Sequence, residues 1–154
     1  MNKSETGIRM IPPLVFLAAF LIAWLVHSLF PLGLGLPTAL RWVLGAILIL
    51  GPLAIIPSLF TLFRRAGSDY DVRKVPKGLV TEGLFRWSRN PGYVALIVLG
   101  VGVAILFDNL WILVLMVPAT LIVHREVVLK EEALLEREFG EEYRRYKSRV
   151  RRWI

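Results

Sequence analysis

From Ile11 to Phe63 the chain carries only two side chains able to hold a charge near neutral pH, His27 and Arg41. A run of that length with so little charge cannot be satisfied by water, and it fixes the fold class first: the solvent for this part of the chain is lipid. The rest of the sequence has the opposite character. Arg125 to Ile154 alone holds nine Lys/Arg and seven Asp/Glu. High apolarity (56% hydrophobic residues) and substantial charge (20%) therefore coexist by segregation along 154 residues, a length that fits one domain, residues 1–154. The absence of cysteine excludes a disulfide-stapled domain and any thiolate-ligated metal or iron–sulfur centre. Two histidines leave no basis for a metal cage, and no metal is expected. The sequence predicts an all-α integral membrane protein.

Four apolar runs are visible, at about 11–30, 37–63, 92–107 and 110–124. About twenty residues at 1.5 Å each cross the ~30 Å hydrocarbon layer. The first run meets that length, and Pro12-Pro13 at its start sit where missing N–H groups cost little. It is too long for a signal-peptide core, and no small-x-small cleavage site follows it. The second run is long enough to tilt, and Gly51-Pro52 and Pro57 should bend it. The third and fourth are shorter and form a tight hairpin around Asp108-Asn109.

Loop charge predicts orientation. Arg64, Arg65, Arg73, Lys74, Lys77, Arg86 and Arg89 lie between the second and third runs, Lys3 and Arg9 precede the first, and the C-terminal segment is basic on balance. The connections 31–36 and Asp108-Asn109 contain no Lys or Arg. The positive-inside rule then places both termini and the segments 64–91 and 125–154 in the cytoplasm. The formal charge of +7 reads as a topology signal with attraction for anionic headgroups, and not as a nucleic-acid footprint. The tail reads as an amphipathic helix with a stripe of Leu135, Phe139, Tyr143, Tyr146 and Val150, interrupted at Gly140, with Glu126–Lys130 and Glu141–Arg145 spaced as i,i+4 ion pairs.

No acid interrupts an apolar run, which argues against a proton relay or ion path. Polar functionality is concentrated in Lys77–Tyr93 and in Glu131-Glu132 with the helix after it, two stretches that the hairpin returns to one face. The string LVTEGLFRWSRNPGY resembles the signature of the isoprenylcysteine carboxyl methyltransferase and phospholipid methyltransferase superfamily in its bacterial R-N-P-x-Y form. The similarity continues through Glu131-Glu132, Leu135-x-x-x-Phe139-Gly140-x-x-Tyr143-x-x-Tyr146 and a basic end, and Ala66-Gly67-Ser68-Asp69-Tyr70 is similar to a segment of the isoprenylcysteine branch. It covers about 65–150.

The resemblance implies a membrane methyltransferase using S-adenosylmethionine, with cofactor contacts at Lys77, Gly78, Leu79, Val80, Phe85, Asn90, Pro91, Gly92, Tyr93 and Glu131. Arg89 and Glu132 take the catalytic positions. The family's substrate-binding arginine falls on Val127, which leaves nearby Arg125 as the substrate's cation, and Asn90 stands where the isoprenylcysteine enzymes have His. A carboxylate can accept from ribose hydroxyls or an ammonium group, and aromatic faces suit adenine and a sulfonium cation. Gly78 and Gly92 allow close backbone approach.

Without the resemblance, Glu131-Glu132 reads as a solvated helix pair, and Asn90-Pro91 as the cap and first turn of a helix. Tyr143 and Tyr146 read as packing residues, and His27 and His124 as interfacial. The expected acceptor is a lipidic or prenylated molecule entering from the bilayer, first an isoprenylcysteine-like carboxylate and second a phospholipid amine. The rival classes are a non-catalytic membrane scaffold and an NADPH-dependent membrane reductase, since sterol reductases are similar in their C-terminal region.

Overall fold

Prolines and glycines mark the ends of the helices. Pro12 and Pro91 occupy the first turns of α1 (Pro12–Leu29) and α3 (Pro91–Leu106), and Pro37 immediately precedes α2 (Thr38–Arg65). The structure, a computed structural model, describes residues 7, 8, 10–67 and 76–154. The expectations for Lys3, Arg9, Ser68, Asp69, Tyr70, Arg73 and Lys74 lie outside the described residues. A four-residue 3-10 turn (Gly83–Arg86) precedes α3, and α4 (Leu110–Val123) passes through a π-helical turn (His124–Val128) into α5 (Leu129–Arg149). Every regular element among the described residues is helical.

Among the described residues, three helices are long and apolar enough to cross a membrane: α1, α2 and the continuous helix of Leu110–Arg149, whose apolar part is α4. The sixteen residues of α3 form a shorter apolar helix, covering about 24 Å. Leu21 and Leu50 are 64% and 63% exposed on α1 and α2, and Trp42 and Val117 are also exposed. An outer surface so apolar is stable against lipid and not against water. Together with the buried small residues inside, it makes this an all-α membrane protein.

The helices pack in the order α1–α4–α3–α2, so α1 and α2 form the two ends of the row. Small residues set the spacing. A Cβ on Gly102 of α3 would stand 2.9 Å from the backbone and Cβ of Leu48 on α2, and one on Gly45 of α2 would stand 2.8 Å from Leu106 Cβ. Close backbone approach of this kind gains van der Waals contact where lipid offers no hydrophobic drive between helices. The larger core cluster joins Phe16, Ala19 and Ala23 of α1 to Ile112, Met116, Ala119 and Val123 of α4 and to Val127 and Val128 of the π turn.

α2 runs helically through Pro52 and Pro57, and Ser58 and Thr61 on that stretch donate to the carbonyls of Ile55 (2.7 Å) and Pro57 (2.9 Å). At one end of the bundle, Asp108 pins the connections together. It pairs with Arg41 at 3.0 Å and accepts from Leu34 N at 2.8 Å. Arg41 is thus half of an ion pair between helix ends, in addition to lying beside interfacial Trp42. At Gly140 the backbone turns to φ 50°, ψ −118°, which breaks the regularity of α5 where the sequence places its interruption. Glu126–Lys130 forms its i,i+4 pair at 2.7 Å, whereas Glu141 pairs with Arg144 at 2.8 Å, one residue short of Arg145, because the helix restarts just after the Gly140 kink.

Candidate functional site

The other end of the bundle is polar, and four parts of the chain converge there. These are the C-terminal end of α2, the loop and 3-10 turn before α3, the first turn of α3, and α5, and the start of α1 closes the cavity as a fifth part. Between them lies a cavity of about 330 Å³. Its apolar wall is built from Ile11, Pro12 and Pro13 before and within α1, Leu59 and Phe63 of α2, and Leu96 of α3. Its polar side is built from Arg89, Asn90, Tyr93, Glu131, Glu132, Tyr143 and Tyr146. Ligand sites of this size are typically apolar with a few convergent polar groups.

Of the residues singled out from the sequence, Gly78, Leu79, Val80, Phe85, Arg89, Asn90, Pro91, Gly92, Tyr93, Glu131 and Glu132 all line this cavity. Lys77 and Arg125 are exposed and lie outside its lining. Arg125 sits on the π turn, which adds a residue to the helical register between α4 and α5, while Val127 beside it is fully buried in the core.

Local folding explains several placements. Gly78 packs against the end of α2, where a Cβ would run into the carbonyl oxygen of Ala66. Phe85 is buried edge-on to Phe63, with ring centroids 5.5 Å apart, and its carbonyl accepts from Tyr146 Oη at 2.8 Å. Asn90 occupies the N-cap position of α3, yet its side chain makes no capping bond. Instead its Nδ2 donates to the carbonyl of Arg152 at 3.0 Å, while its own backbone N–H donates to Ser88 Oγ at 3.0 Å.

The two glutamates of α5 have different surroundings. Glu132 accepts from Arg152 at both carboxylate oxygens (2.9 Å each) and from Arg89 Nη2 at 3.0 Å, with its side chain only 8% exposed. Paired guanidinium contacts of this kind are the strong, geometrically specific ones. Glu131 accepts from Tyr93 Oη at 2.9 Å. Burial pushes its carboxyl up to about 7; the Tyr93 hydrogen bond opposes this, and the neighbouring Glu132 charge adds to it. Burial also raises the Tyr143 and Tyr146 phenols.

Among the described residues, two polar atoms on the cavity side lack a partner. Tyr143 is 1% exposed and its hydroxyl makes no hydrogen bond, and neither does Arg89 Nε. Buried donors left unmatched cost free energy, so such atoms mark where a ligand can supply what the protein does not. Sequence reasoning missed Arg152 and assigned Tyr143 to packing. Arg152 lies twenty residues beyond Glu132, a separation with no local periodicity to reveal it. Tyr143 was visible as one member of the amphipathic stripe, a pattern that does not distinguish a packed ring from a ring whose hydroxyl faces a cavity.

The sequence pattern of a family described as "Phospholipid methyltransferase" matches residues 40–142. A 34-residue stretch is 50% identical to an uncharacterized protein of Haemophilus influenzae, covering 22% of this chain and 54% of that protein. The chain thus spans about half the length of that relative.

Proposed function

Because the chain belongs to the phospholipid methyltransferase family, a family of membrane methyltransferases, we propose that the cavity binds S-adenosylmethionine and that the protein methylates an acceptor carried on an apolar tail. The observation that carries the reading is the convergence, around one cavity, of the half-buried carboxyl of Glu131 with the unmatched Tyr143 hydroxyl and Arg89 Nε beside an apolar wall. These groups fit the cofactor. Glu131 suits ribose hydroxyls or an α-ammonium group, Arg89 Nε and Tyr143 Oη suit a carboxylate, and Phe85 and Tyr93 suit adenine or a sulfonium. When bound, S-adenosylmethionine supplies an electrophilic methyl group for in-line displacement.

The chain's own part is alignment and exclusion of water. Arg89, locked by Glu132 and by the Lys147 carbonyl (3.3 Å), holds the loop before α3 against α5. Tyr93 fixes the Glu131 carboxyl. Leu59, Phe63 and Leu96 keep that side of the cavity dry. The same apolar wall continues into the bundle, and the acceptor's tail lies there, reached from the bilayer. The charge asymmetry of the loops supports a cytoplasmic placement of this end and of both termini.

For the acceptor's head we propose a phospholipid amine ahead of an isoprenylcysteine-like carboxylate. An acceptor carboxylate would call for a further cation at the cavity; Arg125 lies outside the lining, Arg152 is engaged by Glu132, and the one unmatched donor of Arg89, its Nε, is given to the cofactor's carboxylate. An ammonium head must lose a proton before it can attack; Glu132, the base expected from the sequence, is held by two guanidiniums, whereas Glu131 has none bound among the described residues and a pKa raised to about 7, so Glu131 can take it. Incubating the protein in phosphatidylethanolamine vesicles with methyl-labelled S-adenosylmethionine tests this. Base-stable label in the lipid fraction is expected. Base-labile label would favour a carboxylate ester, and no label together with no binding of S-adenosylhomocysteine would overturn the methyltransferase reading.

A further inference from the structure

Glu131 and Glu132 are sequence neighbours, so on a helix their side chains project about 100° apart and meet different partners. Glu132 points toward the residues after α5. There Val150 leaves the helix in extended conformation (φ −118°, ψ 131°) and the chain lies along the loop before α3. The Arg151 carbonyl accepts from Arg89 N at 2.9 Å, and the Arg152 carbonyl accepts from Asn90 Nδ2 at 3.0 Å and Ser88 Oγ at 3.3 Å. The main chain of this segment is therefore held independently of its side chains, and it delivers the Arg152 guanidinium to both oxygens of Glu132.

We propose that Arg152 is a positioning residue of the site: by sharing Glu132 with Arg89, its guanidinium offsets the Glu132 charge beside Glu131 and fixes Arg89 in the cavity wall. Among the described residues, Tyr93 of α3 donates to Glu131 and Glu132 of α5 repels its charge, while Arg89 and Arg152 both pair with Glu132. Tyr143 of α5 lies in the same cluster, and α1 and α2 bring only apolar side chains to the cavity lining. Loss of Arg152 leaves one guanidinium on Glu132 where there were two, and the excess negative charge falls on Glu131.

The consequence for the ligand rests on the reading of the cavity as a cofactor site, but the primary test does not. An infrared pH titration of the protein in nanodiscs reads the protonated-carboxyl band of Glu131, identified by its loss in Glu131→Gln. Arg152→Gln is expected to move its midpoint up by about one pH unit, from electrostatics at an effective dielectric near 20. Arg152→Lys, which keeps a cation and guards against a variant that fails to fold, moves it less. The double variant Arg152→Gln/Glu132→Gln returns it to the parent value or below. An unchanged midpoint in Arg152→Gln with lowered thermal stability would make Arg152 a tether and overturn the proposal. So would a double variant that fails to restore the midpoint, or a parent protein with no titrating Glu131 band. Failure of S-adenosylhomocysteine to bind the parent would overturn only the cofactor reading.

Discussion

Ligand affinity at this site should rise with pH through neutrality, and Glu131 is the reason. Burial raises its carboxyl from 4.5 to about 7, so about one-tenth of the ligand-free protein is ionised near pH 6 and about nine-tenths near pH 8. If the ionised form is the one that accepts hydrogen bonds from the cofactor, apparent affinity for S-adenosylhomocysteine increases about tenfold over that window, or about 1.4 kcal/mol. Stability of the ligand-free protein runs the other way. An acid whose folded pKa exceeds its unfolded value binds more protons folded than unfolded between those values. Its favourable contribution is complete below about 4.5 and is lost as pH rises through about 7. The full shift corresponds to about 3 kcal/mol, reduced by the partial exposure of Glu131.

Glu131→Gln keeps an acceptor for Tyr93 Oη while removing the charge. The variant should therefore bind S-adenosylhomocysteine weakly at every pH, with the pH dependence gone. Its ligand-free thermal midpoint should lie above the parent's near pH 8 and converge on it toward pH 5. Isothermal titration and thermal unfolding in the same detergent read both effects. Retention of the tenfold pH dependence in Glu131→Gln would refute the reasoning, because the titrating group would then lie elsewhere.

Tyr143→Phe removes a buried hydroxyl that has no partner. It should leave thermal stability unchanged or slightly raised and weaken S-adenosylhomocysteine about three- to tenfold; equal affinity would show that the hydroxyl does not meet the ligand. Gly102→Ala forces a methyl group against the α2 backbone at 2.9 Å and should destabilise by about 1–3 kcal/mol, whereas Gly51→Ala, whose Cβ meets nothing within 4 Å, should be neutral or stabilising. Thermal unfolding of the two variants side by side checks this contrast.

The helices were legible in the sequence because lipid leaves the chain few options. An apolar run must satisfy its backbone internally, so run length and proline position nearly define α1, α2 and α4. The start of α3 at Pro91 and the interruption at Gly140 follow from the same local chemistry. The site residues of the Leu79–Tyr93 string and the Glu131-Glu132 pair were legible through their ordered resemblance to a family, which stands in for geometry that spacing alone does not supply.

Other features had no local signature. The π turn between α4 and α5 carries Val127 and Val128 into the α1–α4 core, and its Arg125 lies outside the cavity. Asn90 gives up its cap because the returning chain offers the Arg152 carbonyl. The sequence by itself determined that this chain lives in a membrane, where its apolar helices lie, and which polar stretches share an end, since those follow from hydropathy, charge and connectivity. Only the tertiary structure decided that adjacent Glu131 and Glu132 play different parts. That choice depends on what stands opposite each carboxyl, a tyrosine from α3 in one case and two guanidiniums from distant segments in the other.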